Sequence, residues 1–198
     1  MLLKTKNLMK AFGGLKAINK VDFELPAGEI RGIIGPNGSG KSTFFNLVSG
    51  VYDPDPGSYI EFDGHDITNE PPHKIGALGL SRTFQLLRLY QDMSVINNVM
   101  SGYHTRVKYK FFDAVIGRKK IWDQEKEIKD EMMELLSFVG LADYAELNAS
   151  ELSGGQRRLL VLARAIAMKP KLLMLDEPAA GLSPVNVDNL MKIIMQLK

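Results

Sequence analysis

The pattern of apolar and polar positions divides the chain into a strand-rich part and a helix-rich part. Near the N-terminus, the alternation over Asp22–Leu25 and the apolar runs Ile30–Ile34 and Tyr59–Phe62 predict short strands joined by turns. Over residues 94–167, turn signals become rare and apolar residues recur at spacings of three and four, which predicts helices. The run Leu172–Leu175 predicts one further buried strand. Strands that alternate with helices indicate an α/β fold.

Two helix starts are visible in the sequence. A helix over Lys41–Val48 is predicted directly after a glycine-rich segment, and Ser183 with Pro184 has the form of an N-cap followed by proline at the first helical position. We therefore expect a single domain over residues 1–198. Its core would be about 1–84 and 168–198, and a helical lobe of about 85–167 would be inserted into that core.

The composition excludes several classes of protein. The chain has 198 residues, of which 45% are hydrophobic and 24% charged, as in a globular protein with a buried core. The formal net charge of +2 is too small to indicate nucleic acid binding. Without cysteine, disulfides and thiolate-bound metals are excluded, and the apolar runs are far shorter than the roughly 20 residues of a membrane helix. Any role at a membrane is therefore expected to depend on a partner.

The glycine-rich segment before the first predicted helix has the spacing G-x-x-x-x-G-K-[ST]. Its glycines let successive backbone N–H groups point at one phosphate, Lys41 supplies a positive charge, and the Ser42 hydroxyl is suited to Mg²⁺. The alternative, a turn that matches the pattern by coincidence, is disfavoured by the predicted strand before it and helix after it. The predicted ATP-binding residues are Gly35, Pro36, Asn37, Gly38, Ser39, Gly40, Lys41, Ser42 and Thr43.

Two carboxylates follow the predicted strand Leu172–Leu175. At the carboxyl edge of a parallel sheet, where such folds bind ligands, Asp176 would hold Mg²⁺ and Glu177 would act as general base for an attacking water. Alone, a buried strand followed by a solvated Asp-Glu turn would be the simpler interpretation. Beside a phosphate loop, the pair favours nucleotide hydrolysis.

The segment 152–156 reads Leu-Ser-Gly-Gly-Gln and lies between the phosphate loop and the carboxylate pair. Taken alone, it is a Ser/Gly turn that caps a helix over 156–167. In this position, LSGGQ resembles the signature of ABC-type ATPases, and the resemblance covers the chain from end to end. The order of the motifs is similar too: the phosphate loop, Gln85, the signature, Asp176 with Glu177, and the segment 179–183.

The resemblance implies a P-loop NTPase core of the ABC ATPase type, with an N-terminal antiparallel β subdomain and an inserted helical lobe. It implies two ATP-binding subunits, identical or different, packed head to tail, with each ATP between the phosphate loop of one and the signature of the other. Phe12 would stack on adenine, with a core position as the alternative. The implied catalytic residues are Glu177, Gln85 and Lys41, the Mg²⁺ ligands Ser42, Gln85 and Asp176, and the signature residues Ser153, Gly154, Gly155 and Gln156.

Segments that flank the motifs point to one subfamily of ABC-type ATPases. Residues 9–17, 71–75, 82–85 and 177–182 are similar to ATP-binding subunits of branched-chain amino acid importers, and urea and short-amide importers have similar subunits. The resemblance implies a cytoplasmic ATPase held at the inner face of the plasma membrane by integral permease subunits, and linked through them to an external solute receptor. Two alternatives stay open: a soluble ABC ATPase that acts on DNA or ribosomes, and a nucleotide-gated module without turnover.

One feature of the family pattern is missing. The resemblance implies a histidine that contacts the γ-phosphate well past Glu177, whereas the sequence stops at Lys198. The residues His65, His73 and His104 lie in other regions and are expected at the surface. We therefore expect the C-terminal part of the family domain to be missing from this sequence, and ATP binding to be better preserved than hydrolysis.

A cluster of apolar residues follows Gln85. Leu86, Leu87, Leu89 and Tyr90 are too many for a short connecting loop to bury, although each could belong to the core of the lobe. An exposed apolar patch usually marks a protein interface. We therefore predict that the membrane partner docks on the face that begins just after Gln85.

Overall fold

The computed structural model describes residues 1–83, 89–103 and 118–197, with side chains described from residue 126 onward in the last range. Contacts group these residues into two compact units, 1–82 and 83–197. Residues 168–197 thus cluster with the helical lobe, whereas the core and lobe limits drawn from the sequence stay a prediction.

The first unit is built around an antiparallel sheet. In chain order its elements are strands β1 (Leu3–Phe12) and β2 (Leu15–Leu25), helix α1 (Lys41–Val48), strands β3 (Tyr59–Phe62) and β4 (His65–Asp66), helix α2 (Pro72–Ala77) and strand β5 (Leu80–Thr83), which ends at the border of the second unit. The strand order in the sheet is β2-β1-β3-β4, and every pairing is antiparallel. The predicted N-terminal antiparallel subdomain is therefore confirmed.

Burial and turn chemistry explain this sheet. Leu8, Ile60 and Phe62 are fully buried, because alternate residues of β1 and β3 face the core of the unit. Asp63 and Gly64 join β3 to β4 with φ angles of +48° and +77°, the conformation that a tight two-residue hairpin needs. The strands β1 and β2 are longer than the short strands that the sequence predicted.

The strand predicted over Ile30–Ile34 is wrong. Residues 29–36 have no regular secondary structure, and Ile34 is 94% exposed. Among the residues that the structure describes, no strand pairs with this segment. A lone extended segment satisfies neither its backbone groups nor its apolar side chains, so the β-propensity of three isoleucines is insufficient.

The second unit is mainly helical. Its elements are α3 (Val95–Tyr103), α4 (Arg118–Phe138), two 3₁₀ turns (Ala142–Tyr144 and Ala149–Glu151), α5 (Gly154–Ala167), strand β6 (Leu172–Leu175) and α6 (Pro184–Gln196). One apolar core joins these elements and includes Leu89, Val99, Leu136, Leu160 and Ile193. Helices α3 and α5 pack so closely that a Cβ atom at Gly102 would overlap the backbone carbonyl of Arg164.

Most predicted elements of the second unit are present. The helical lobe, the strand Leu172–Leu175 and the helix that starts after Ser183 are confirmed. In the described ranges, no helix is long and apolar enough to cross a membrane.

Candidate nucleotide-binding site

The phosphate loop ends at the N-terminus of α1. Gly40 is the N-cap residue and has φ +92°, and a Cβ atom there would lie 2.5 Å from the carbonyl oxygen of Ala17. Gly38 also has a left-handed φ of +81°. Within the described residues, no side chain caps this helix. The first backbone N–H groups of α1 therefore point out of the helix together with its positive dipole end, which suits an anion.

Lys41 lies in the first turn of α1, and its side chain folds back over the loop. Its Nζ atom donates to the carbonyl oxygens of Gly35 and Pro36, at 2.8 and 2.9 Å. The ammonium group is thus held on the inner side of the loop, next to the helix N-terminus. The Ser42 hydroxyl is on the exposed surface of the same turn. The loop therefore gathers a cation, a helix dipole and a hydroxyl in the first unit.

Asp176 and Glu177 follow β6 in the second unit, as the sequence predicted. Asp176 is half-buried, whereas Glu177 is exposed and has φ +47°. This left-handed conformation is uncommon for a residue with a side chain and costs free energy, and it often occurs at functional turns. The Glu177 carbonyl then accepts a hydrogen bond from the N–H of Ala180, at 3.1 Å, which starts the turn towards α6.

A cavity of about 120 Å³ lies against these two carboxylates within the second unit. Its lining includes Arg158, whose Nη1 atom is buried and makes no hydrogen bond in the part of the chain that the structure describes. Arg158 was not predicted from the sequence. Its position two residues after Gln156, the last residue of the signature, on the same helix α5, was the available signal. The cavity is lined by Thr83, Arg158, Val161, Leu162, Leu175, Asp176, Glu177, Pro178, Ala180 and Leu190.

The signature residues form the capped N-terminus of α5. Ser153 Oγ accepts from the backbone N–H of Gln156 at 3.3 Å, and Gln156 Oε1 accepts from the backbone N–H of Ser153 at 2.8 Å. This capping box fixes the start of the helix. The predicted start at residue 156 is corrected by two residues, because Ser153 caps one turn earlier.

The two signature glycines have different surroundings. A Cβ atom at Gly155 would lie 2.9 Å from Asn186 Nδ2 of α6, whereas a Cβ atom at Gly154 would meet nothing within 4 Å. The site at Gly155 is therefore closed by the neighbouring helix. Gly154 has open space before it, which a larger side chain could fill.

Of the remaining residues that the sequence singled out, some are described by the structure and others lie outside the described residues. Phe12 ends β1 and is 44% exposed, so the core position considered for it is wrong. Gln85 lies outside the described residues, as do Leu86, Leu87 and His104. His65 and His73 are exposed, as expected.

Comparisons with known proteins agree with these motifs. The profile of the ABC transporter family matches residues 18–180. The probable branched-chain amino acid transport ATP-binding protein LivG of Archaeoglobus fulgidus is 43% identical, over 100% of this chain and 75% of that protein. The high-affinity branched-chain amino acid transport ATP-binding protein LivG of Escherichia coli K12 is 39% identical, over 100% of this chain and 77% of that protein.

A solved structure has the same fold. The ADP conformation of MJ1267, an ATP-binding cassette of an ABC transporter, matches with a TM-score of 0.83 and 33% identity, over 99% of this chain and 76% of that one. The chain therefore belongs to the ABC transporter family. Its fold is that of an α/β P-loop ATP-binding cassette, and it is an ATP-hydrolysing enzyme of a transporter.

Proposed function

We propose that this chain is the ATPase subunit that powers import of branched-chain amino acids through a membrane permease. The observation that carries the proposal is the loop of Lys41 at the open N-terminus of α1, in a chain that is 39–43% identical to proteins named for this transport. The same names favour this solute over urea or short amides, and favour a transporter over a soluble ATPase that acts on DNA or ribosomes.

The phosphates of ATP would bind at the phosphate loop. Lys41 would exchange its contacts with the Gly35 and Pro36 carbonyls for the β- and γ-phosphates, since those are the stronger charge-assisted partners. Gly38 and Gly40 would keep the backbone close to the anion, because their left-handed conformations leave no side chain in the way. Phe12, exposed at the end of β1, would stack on the adenine ring.

The donor set offered for a cation consists of oxygen atoms. The Ser42 hydroxyl, the Asp176 carboxylate and the Gln85 amide fit Mg²⁺, which typically takes few protein ligands and shares the rest with phosphates and water. When bound with ATP, the ion would neutralise charge on the β- and γ-phosphates. Glu177, whose carboxylate is exposed in the turn after β6, would accept a proton from the attacking water.

Two such subunits would act together. The N-terminus of α5 carries the signature residues Ser153–Gln156, and the open space at Gly154 leaves the backbone accessible to an anion from outside. A second ATP-binding subunit, identical or different, would present its nucleotide there. Without ATP, two positive helix termini would face each other, so association is expected to need the nucleotide.

The permease would dock on exposed apolar residues of the second unit. Tyr90 is 56% exposed, while its neighbour Leu89 is buried in the core. Beside Tyr90, the backbone of residues 93–96 bonds to residues 145–149, and this places the exposed side chains of Met93, Tyr144 and Leu147 on the same loops. A group of exposed apolar side chains of this kind favours a protein interface.

The first test is transport by the assembled complex. With its permease and receptor in vesicles, the subunit should drive Mg-ATP-dependent uptake of labelled leucine, and isoleucine and valine should compete. Uptake of urea in place of leucine would reassign the solute. ATP binding by the full chain with no phosphate release and no uptake would instead support a nucleotide-gated module.

The second test concerns the docking face. Tyr90→Asp should reduce transport while phosphate release by the isolated subunit stays at the parent rate, because it places a charge on the exposed apolar face of the second unit, whereas the phosphate loop belongs to the first unit. Leu87→Asp extends the test into the neighbouring residues. Met195→Asp, at another exposed apolar residue, is the matched control. Intact transport in both docking variants would place the permease on a different surface.

A further inference from the structure

Two aromatic side chains lie together at the surface of the first unit. The rings of Phe12 and Tyr52 pack edge to face, with centroids 5.4 Å apart and an interplanar angle of 74°. Both are substantially exposed, Phe12 at 44% and Tyr52 at 39%. Tyr52 belongs to the loop after α1, so it reaches Phe12 from a different element. Their exposure leaves apolar area in water that a bound aromatic group would cover.

A cation is held next to the same ring. Lys10 Nζ lies 5.6 Å from the centroid of Phe12, within the range of a cation–π interaction. In the loop after α1, this ammonium group donates a hydrogen bond to the Asp53 carbonyl at 2.6 Å and forms an ion pair with the Asp55 carboxylate at 3.7 Å. Its side chain is only 19% exposed. Lys10 is therefore a neighbour of the Phe12 ring, while 44% of this residue stays exposed to a bound base.

The backbone that carries Phe12 is attached to the same loop. Asp55 N–H donates to the Met9 carbonyl at 2.9 Å, and Asp55 Oδ2 accepts from the Ala11 N–H at 2.7 Å. Ser58 Oγ accepts from the Met9 N–H at 2.9 Å. Strand β3 pairs with β1 only over residues 3–6, so the backbone groups of Met9 and Ala11 are available to the loop. The end of β1 is thus held from outside its own hairpin.

We propose that Lys10 and Tyr52 are positioning residues for the Phe12 platform, and that they set the affinity for the base of the nucleotide separately from its phosphates. This inference rests on the proposed function, in which Phe12 stacks on adenine. Lys10 holds a cation beside the ring and Tyr52 fixes its tilt through the edge contact. Asp55 keeps both the ammonium group and the strand backbone in place.

The experiment compares ATP with inorganic triphosphate, which has the phosphates and no base. Dissociation constants of both are measured with Mg²⁺ on the full chain. We expect Lys10→Met to weaken ATP binding about two- to fivefold, the range of an exposed cation–π contact. Tyr52→Leu should weaken it about two- to tenfold, the range of an aromatic pair. Triphosphate should bind every variant with the parent affinity, which also shows that each variant is folded.

Control variants test whether the effects depend on the positions of Lys10 and Tyr52, or only on the loss of a charge or of a tyrosine ring from the surface. Lys16→Met removes the same charge from an exposed site on β2, and Tyr144→Leu removes an exposed tyrosine from the second unit. Both should bind ATP like the parent. Lys10→Arg and Tyr52→Phe keep the cation and the ring edge, so they should restore most of the ATP affinity.

Three outcomes would overturn the inference. If Phe12→Ala weakens ATP binding while Lys10→Met and Tyr52→Leu do not, the platform needs no positioning residues, and the proposed function stands. If Lys10→Met weakens ATP and triphosphate equally, its charge acts on the phosphates. If Phe12→Ala has no effect, the base binds elsewhere. The phosphate site is then tested on its own, by measuring the binding of triphosphate to Lys41→Ala.

Discussion

The chain has two helix N-termini that carry glycine-rich motifs, and they are built in opposite ways. At α1, Gly40 is the N-cap residue and contributes no side-chain hydrogen bond, so the first N–H groups stay open. At α5, Ser153 and Gln156 satisfy each other's backbone N–H groups in a capping box. A cationic side chain folds back at both termini: Lys41 donates to loop carbonyls before α1, and Arg157 donates to the carbonyls of Leu152 and Ser150 before α5.

This difference in capping suggests a division of roles. An open terminus can donate its free N–H groups to a phosphate of its own nucleotide, at some cost to the stability of the helix. A capped terminus is stable without a ligand and can be presented ready-made to a nucleotide from another subunit. We expect substitutions at α1 to act mainly on binding, and those at α5 mainly on stability and association.

The largest expected effect is on the rate of phosphate release, and it comes from the carboxylate pair and not from either helix N-terminus. Glu177→Gln removes the proposed base with little change in size, so phosphate release should fall about 10²- to 10⁴-fold, while both termini keep their ligands. The variant should accumulate as an ATP-bound dimer in sedimentation experiments. Asp188→Gln, at an exposed carboxylate on α6, is the control. Release at the parent rate would show that another group activates the water.

The next effect tests the open terminus. Lys41→Ala should weaken ATP binding about 10- to 100-fold, the value of a hydrogen bond to a charged group. Titration with labelled ATP measures this loss, and circular dichroism checks that the fold is retained. Lys16→Ala should bind normally. An unchanged affinity in Lys41→Ala would remove the phosphate loop from the site.

A pair of alanine substitutions compares the two backbones directly. Gly40→Ala forces a side chain into a left-handed conformation and against the Ala17 carbonyl, so the free energy of unfolding should fall by about 1–3 kcal/mol. Gly154→Ala meets open space in the first turn of α5 and should change it by less than about 1 kcal/mol. Urea unfolding of both proteins measures the difference. Equal losses of the free energy of unfolding would mean that the two helix N-termini tolerate a side chain equally well at these glycines.

The smallest effect tests the cap of α5. Ser153→Ala removes an N-cap acceptor and should lower the free energy of unfolding by about 1 kcal/mol. ATP-dependent dimerisation should weaken as well, whereas ATP binding to the monomer should not change. Ser153→Thr keeps the acceptor and should behave like the parent. Weaker binding of ATP by monomeric Ser153→Ala would contradict the division of roles.

The sequence predicted those elements whose causes are local. Lys41–Val48 and Tyr59–Phe62 have the predicted bounds, because a glycine-rich N-terminus and a tight turn decide where they begin and end. Ile30–Ile34 has comparable β-propensity and forms no strand, since a strand needs a hydrogen-bonded neighbour that no local pattern supplies.

The site residues that the sequence predicted are also those with a local signal. Spacing within a motif was sufficient to predict Lys41, Ser153 and Glu177 as site residues, and their roles stay predictions. Arg158 and Tyr52 were missed, because their interest comes from a buried guanidinium nitrogen and from a ring contact over a long separation in sequence. Contacts of this kind depend on tertiary packing, which propensity and spacing do not encode.

The close approach of Gly102 to the backbone of Arg164 packs α3 directly against α5. Asn98 of α3 bonds to both backbone groups of Tyr90, at 3.0 and 2.9 Å, so the loop that carries this exposed ring is fastened to α3. The Arg164 guanidinium lies 6.0 Å from the ring centroid of Tyr90, near the far end of α5 from Ser153. With 14 residues, α5 is about 20 Å long. Because one continuous helix joins Ser153 to the contact with Tyr90, we expect a small rotation at Ser153 to displace Tyr90 as well.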